Sequence, residues 1–331
     1  MAEQTQTQTK AMTLQEKQNL ALKNTVIGVQ KSIDVYVQNG QLDFPQNYSV
    51  GNALKQAQLM IQDVDKLMQC TQASIGKALL DLVVLGLNVA KQQAYIIPYG
   101  NIAQLQISYQ GKQLLAKRID PTIEEIYAMP LKENEDFVFE DLFGGYSTVI
   151  KHQRTLITMR EQSKRLLKAI EGDDVVKLNE TIEDIYIGAY ATIVYNDGKP
   201  PKSLIMMYDR IKQSWKQSST KPIDENGNVA LKATHAKFID DMMCKTVITA
   251  ICKPIINSSD DAHLYNRIAK SCEIQEVANE VQEEKETFAN KGPIVDVEFE
   301  DSLTEEVAPT DTAIKHNVAS ADAELNVDII E

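Results

Sequence analysis

The residues with the strongest claim to chemistry in this 331-residue chain lie in one run, QQAYIIPYGNIAQLQISYQGKQLLAKR, from position 92 to 118. The run contains no Asp, Glu, His or Cys, so it offers no carboxylate or imidazole for acid–base work and no metal ligand. It offers flat rings at Tyr95, Tyr99 and Tyr109, neutral hydrogen-bonding groups at Gln104 and Gln106, and cations at Lys112, Lys117 and Arg118. Holding a nucleic-acid strand without reading its sequence requires cations along the phosphates and flat or neutral polar surface near the bases. If a strand is held here, Lys112, Lys117 and Arg118 are candidates for its phosphates, Gln104 and Gln106 for the groove floor, and Tyr95, Tyr99 or Tyr109 for its border. Tyr109 alternates with Leu105 and Ile107, so the core is an equally good place for its ring.

Other chemistries lack their residues. A phosphate-cradling G-x-x-x-x-G-K-[ST] loop is missing: Gly111-Lys112 has Gln106 where the first glycine belongs, Gly76-Lys77 has Thr71, and Gly198-Lys199 has Ile193 and is followed by Pro200. No ATP or GTP hydrolysis is expected. Cys70, Cys244, Cys252 and Cys272 form no C-x-x-C pair, and the four histidines lack i, i+4 pairing, so reduced, mostly buried thiols and no metal site are expected. The acidic run ENEDFVFED, 133 to 141, could ring a magnesium ion with Glu133, Asp136 and Glu140 as nucleases do. Exposed strand edges and turns collect such charges as well. The reading is therefore non-enzymatic, with no cofactor.

The elements that must position the run can be read from periodicity. A helix is predicted through LQEKQNLALKNTVIGVQKSIDVYVQNG, ending at Asn39-Gly40, a second over NYSVGNALKQAQLMIQDV, and a third from a Thr71 or Ser74 cap. AYIIPY and IAQLQISY then read as strands of a hairpin turning at Gly100-Asn101, and GKQLLAKRI as a helix. Asn134 is expected to turn a hairpin within EEIYAMPLKENEDFVFED, and Asn196-Asp197-Gly198 another after DIYIGAYATIVY. Residues 151 to 180 read as helix and loop. DRIKQSWKQ and HAKFIDDMMCKTVITAICKPI read as later helices, the last ended or kinked by Pro254. The fold class expected is α+β, helices packed on short antiparallel hairpins. No apolar run approaches a membrane span and no signal peptide opens the chain, which points to the cytoplasm.

The net charge of −13 would seem to disfavour a polyanion, but its location matters. Residues 272 to 331 hold 17 acidic residues against three lysines, a net of −14, while residues 1 to 271 hold 31 basic and 30 acidic, a net of +1. KHQRTLITMREQSKRLLK, 151 to 168, alone carries six basic residues and one Glu. The body therefore has basic patches. Residues 1–12 and the acidic tail 272–331 are expected to be disordered, leaving 13–271 as the folded domain. The tail reads as a solubility segment, a partner-docking site or a DNA mimic, and its apolar islands PIVDVEF and LNVDII favour docking. If it mimics DNA, deleting 273–331 strengthens single-strand binding at low salt.

Four segments in order, QAYIIPYGNIAQLQISYQGKQLLAKR, EEIYAMPLKENEDF, GAYATIVYNDG and DDMMCKTVITAICKPI, resemble the RecT family of phage single-strand annealing proteins over roughly residues 45 to 260. The chain departs from the family pattern at Gln110, where a basic residue is usual, at His235, often Trp, and at Cys244-Lys245, often a basic pair. The basic stretch from about 153 to 180 looks longer than usual and reads as an insertion. The resemblance implies ATP-independent binding of single-stranded DNA, annealing of complementary strands in homologous recombination, and assembly as rings or helical filaments. It also implies partnership with a phage exonuclease, or a host single-strand-binding protein, through the tail. Lys151, Arg154, Arg210, Lys212, Lys245 and Lys253 join the earlier residues as candidates for phosphate or subunit contacts. The competing readings are a structural or scaffolding phage protein that assembles without DNA, and a metal-dependent nuclease.

Overall fold

A computed structural model describes residues 12–258 apart from 46, 143 and 219. All the described residues belong to one compact unit. The expected disorder at both termini and the domain boundary at 271 lie outside the described residues.

Helix α1 (Leu14–Gln38) starts where Thr13 and Glu16 close a reciprocal capping box, and Leu22, Val29 and Ile33 supply its buried stripe. It ends as expected, with Gly40 at φ 66°. Ser49 caps α2 (Val50–Gln62), a short α3 (Asp65–Met68) follows, and Thr71 caps α4 (Gln72–Val84). Helix α1 packs on α2 and α4, and α4 lies against the first hairpin.

That hairpin is β1 (Ala94–Tyr99) and β2 (Ile102–Ile107), antiparallel, with Tyr99 opposite Ile102 across the Gly100-Asn101 turn. Ala94, Ile96, Ala103, Leu105 and Ile107 face the core. Strand β2 stops two residues earlier than its pattern suggests, because Ser108 caps α5 (Tyr109–Ile119), its Oγ accepting the Gly111 N–H at 3.0 Å. Tyr109 is thus the first residue of a helix and not the end of a strand. Gly111 is required here: a Cβ on it would stand 2.0 Å from the Gln93 carbonyl oxygen.

The second sheet is formed by β3 (Ile123–Lys132), β4 (Asp136–Asp141), β5 (Ser147–Gln153), β6 (Tyr186–Tyr195) and β7 (Lys202–Met207), in the order β3-β6-β7-β5-β4. Two expectations are corrected here. Asn134 does turn the chain, at φ 61°, but β3 and β4 do not pair; β3 pairs with β6 and β4 with β5. Strand β6 is buried along most of its length and needs a neighbour on each edge, and β3 and β7 fill both. The last three residues of β5 also fall in the stretch from 151 expected to be helix and loop. The β4–β5 hairpin meets β7 in register only at Ser147 opposite Ser203. Its other end lies over β6, where the Phe137 and Tyr190 rings are 5.4 Å apart.

Helices α6 (Leu156–Glu171) and α7 (Val175–Ile185) separate β5 from β6 and pack on each other. After β7 come α8 (Tyr208–Lys216), α9 (Thr234–Lys237) and α10 (Ile239–Ser258). Pro254 does not end α10, which continues four residues beyond it. Helix α10 crosses α5, β3 and β6, so one hydrophobic core runs from Leu22 to Ile256. The fold is α+β, as expected.

Candidate nucleic-acid interface

Pairing in the first hairpin fixes which side chains share its outer face. Tyr95 stands opposite Gln106, Ile97 opposite Gln104 and Tyr99 opposite Ile102, so Tyr95, Tyr99, Gln104 and Gln106 are together on one side. The Gln106 amide donates to the Tyr99 hydroxyl, and Tyr95 is exposed. The neutral polar floor read from the sequence is therefore one surface, bordered by two tyrosines.

Ser108 turns that surface into α5, donating from its hydroxyl to the Gln92 carbonyl at 2.6 Å while it caps the helix. The next residues enter the seam between α5 and α10. Tyr109 packs against the core, and Lys245 of α10 places its Nζ 5.9 Å from the ring centroid. Lys112 lies deeper, with 9% of its surface exposed. Among the described residues it has no ion pair and no side-chain hydrogen bond, and it stands within electrostatic reach of Cys252. Burial pushes the Cys252 thiol up to about 12, against the pull of Lys112. The side-chain carbonyl of Gln110, on the same turn, is buried without a partner. Helix α5 thus carries an uncompensated buried cation and, two residues earlier, an unsatisfied buried polar atom, each costly unless something polar completes it.

The other cations are placed differently. Lys117 donates to the Glu124 carbonyl at 2.8 Å. Arg118 turns back to the end of α4 and donates to the carbonyls of Leu85 at 2.9 Å and Gly86 at 3.1 Å, where Gly86 has φ 63°. Its guanidinium holds the turn that follows α4. Lys151 pairs with Asp136 across the β4–β5 ladder, which also occupies a carboxylate of the magnesium reading. Lys212 pairs with Glu183 at 2.7 Å and Asp209 at 3.6 Å. Arg154, Arg210 and Lys253 are exposed, Arg154 beside Tyr190 and Cys244. The structure thus joins Tyr95, Tyr99, Gln104 and Gln106 on one face and Tyr109, Lys112 and Lys245 in the adjoining seam, with Lys151 and Arg154 on or just after β5 and Arg210 and Lys212 on α8.

His235 stands on α9 against Trp215, ring centroids 4.8 Å apart, and burial pushes its imidazole down to about 4, helped by Lys245. It packs as a neutral ring. Two polar networks escaped the sequence reading. Lys132 meets Asp240 at 2.8 Å, whose other oxygen accepts from Tyr186; His152 bridges Glu135 at 2.8 Å and the Tyr190 hydroxyl at 3.0 Å. Their partners lie as far as 108 residues apart, beyond any local pattern. Also overlooked within the basic stretch was a spacing that local pattern does show: Arg160, Lys164 and Lys168 recur every four residues along α6.

Among the described residues no group of three His, Cys, Asp or Glu side chains could hold a metal ion, and no helix is long and apolar enough to cross a membrane. No curated protein matches the chain. A family model described as the RecT family matches residues 51–288, a span holding the hairpin, α5, the second sheet and α10.

Proposed function

This chain belongs to the RecT family, whose members act in single-strand annealing during phage-type recombination, and from that premise we propose that it binds single-stranded DNA and anneals complementary strands without nucleotide or metal. The observation that carries the reading to particular residues is Lys112, a nine-tenths buried cation with no carboxylate partner among the described residues. A phosphate is the anion a nucleic-acid strand would bring to it. The hairpin face of Gln104, Gln106, Tyr95 and Tyr99 offers neutral and flat contacts that tolerate any base.

The free energy comes from the product. Each base-pair step formed is worth about 1.4 kcal/mol, so a strand exchange partner needs no hydrolysis to drive it. What the protein must supply is screening between two polyanions and a grip on the backbone that leaves base edges presentable. Cations in a seam and amides on a strand face serve that purpose without acid, base or metal.

The proposal extends to action as an oligomer on DNA, in rings or helical filaments, in the cytoplasm of a bacterial host. Residues 272–331 would dock an exonuclease or host single-strand-binding protein. Large apolar side chains exposed on β4, β5 and α6, among them Phe139, Ile150 and Leu156, favour self-association and keep the scaffolding reading as the alternative. Binding to a labelled oligonucleotide across a salt series separates the two. If about five phosphates are neutralised per subunit, log affinity falls against log salt with a slope near −3.5, and Lys112→Gln makes it shallower by about 0.7. A flat response with assembly equal in the presence and absence of DNA would favour the scaffold.

A further inference from the structure

Helix α6 spends its two faces differently. Its inner side is docked: Gln162 donates to the Glu133 carbonyl at 2.9 Å, Leu166, Ala169 and Ile170 pack on the core, and Arg165 reaches Asp184 of α7 at 3.0 Å. The outer side carries Arg160, Lys164 and Lys168, all exposed, and none has an ion pair or side-chain hydrogen bond among the described residues. Glu161 is three residues before Lys164 and Glu171 three after Lys168, positions from which a carboxylate can reach a lysine, yet neither pairs with this row. Like charges at i, i+4 work against a helix. The row is therefore not there to stabilise α6.

We propose that the outer face of α6 is a second phosphate-binding surface, which captures the incoming strand while the α5–α10 seam holds the first. The inference rests on the annealing reading and adds a contact that the hairpin and seam do not contain. Successive members of the row are about 6 Å apart along the helix axis, close to the rise of two nucleotides in a strand of B-form DNA, about 3.4 Å each. A protein that pairs two polyanions gains from cations on separate elements, because a strand neutralising one set leaves the other open.

The test uses the full-length protein and the variant Arg160→Gln, Lys164→Gln, Lys168→Gln. Glutamine is a good helix former and the change removes like-charge repulsion, so the thermal midpoint should be unchanged or higher. Protein is loaded with one labelled oligonucleotide and then offered a second, non-complementary one, so that pairing cannot assist capture. The proposal predicts first-strand affinity within twofold of the unsubstituted protein and second-strand capture at least tenfold weaker. It also predicts a salt slope for capture shallower by about 2 and slower annealing with a complementary strand. Normal loading with capture unaffected by the substitutions overturns the proposal alone. A changed oligomer distribution with unchanged capture overturns it in favour of a subunit contact. Failure of the unsubstituted protein to load a first strand overturns the annealing reading and this inference with it.

Discussion

Lys112 and Arg118 sit six residues apart on one helix, carry the same charge and have opposite fates. Lys112 enters the α5–α10 seam without a carboxylate partner among the described residues, while Arg118 donates to two carbonyls at the end of α4. Type and spacing nominate both as phosphate contacts; what separates them is a turn more than 30 residues upstream, at Leu85 and Gly86. Arg118→Ala should therefore lower folding stability, by about 2–3 kcal/mol for two charged hydrogen bonds, as read from denaturant midpoints. Lost DNA binding at unchanged stability would return Arg118 to the DNA-contact set. Two buried titratable groups bear on pH. Burial raises the Asp81 carboxyl to about 6, offset partly by Lys77. The unfolded chain releases this proton near pH 4 and the folded chain near 6, so its contribution to stability is lost as pH rises through that window. His235 does the reverse: the unfolded chain binds a proton below about 6.5 and the folded chain only below about 4, so stability is gained over the same rise. The two slopes oppose each other. Asp81→Asn removes the falling one, and its urea midpoint should climb from pH 4 to 6 more steeply than that of the unsubstituted protein; an equal or shallower climb would contradict the assignment.

At the scale of elements, caps and turns were legible because their signals are local. Thr13 with Glu16, Thr71 and Gly100-Asn101 each satisfy backbone groups within a few residues, and all stand where expected. The hairpin's polar face was legible for the same reason, since alternation alone puts Gln104 and Gln106 opposite Leu105. Pairing across the second sheet was not. Asn134 fixes a reversal but cannot choose between β4 and β6 as the partner of β3, and that choice follows from the burial of β6. The end of β5 is masked by the basic stretch that begins at Lys151, which belongs to a cross-strand ion pair with Asp136. Pro254 does not end α10, because packing of α10 against α5 and the sheet outweighs the missing N–H. Gly111 shows what the sequence could not: a glycine inside a Gly-Lys pair that fails as a phosphate loop is needed for close approach of α5 to the chain before β1. Gly111→Ala would force a Cβ into the Gln93 carbonyl, so we expect a severe loss, above about 3 kcal/mol, seen as a much lower thermal midpoint. A midpoint within a few degrees of the original would mean that α5 can shift freely, and the seam geometry would lose its rigidity.

At the scale of the whole molecule, residues 272–331 carry a net charge of −14 and residues 1–271 one of +1, which keeps an acidic chain compatible with the polyanion proposed as its substrate. The body offers a neutral hairpin face, a seam holding Lys112 and, on α6, a row of outward cations, an arrangement suited to screening two strands while base pairing supplies the free energy. The most direct measurement is the rate of duplex formation between two complementary labelled oligonucleotides, followed by energy transfer without nucleotide or metal, for the unsubstituted protein and for Lys112→Gln. The account predicts strong acceleration over the protein-free rate and at least a tenfold loss of that acceleration in the variant, with its thermal midpoint preserved. No acceleration by the unsubstituted protein, or full acceleration by the variant, would contradict it.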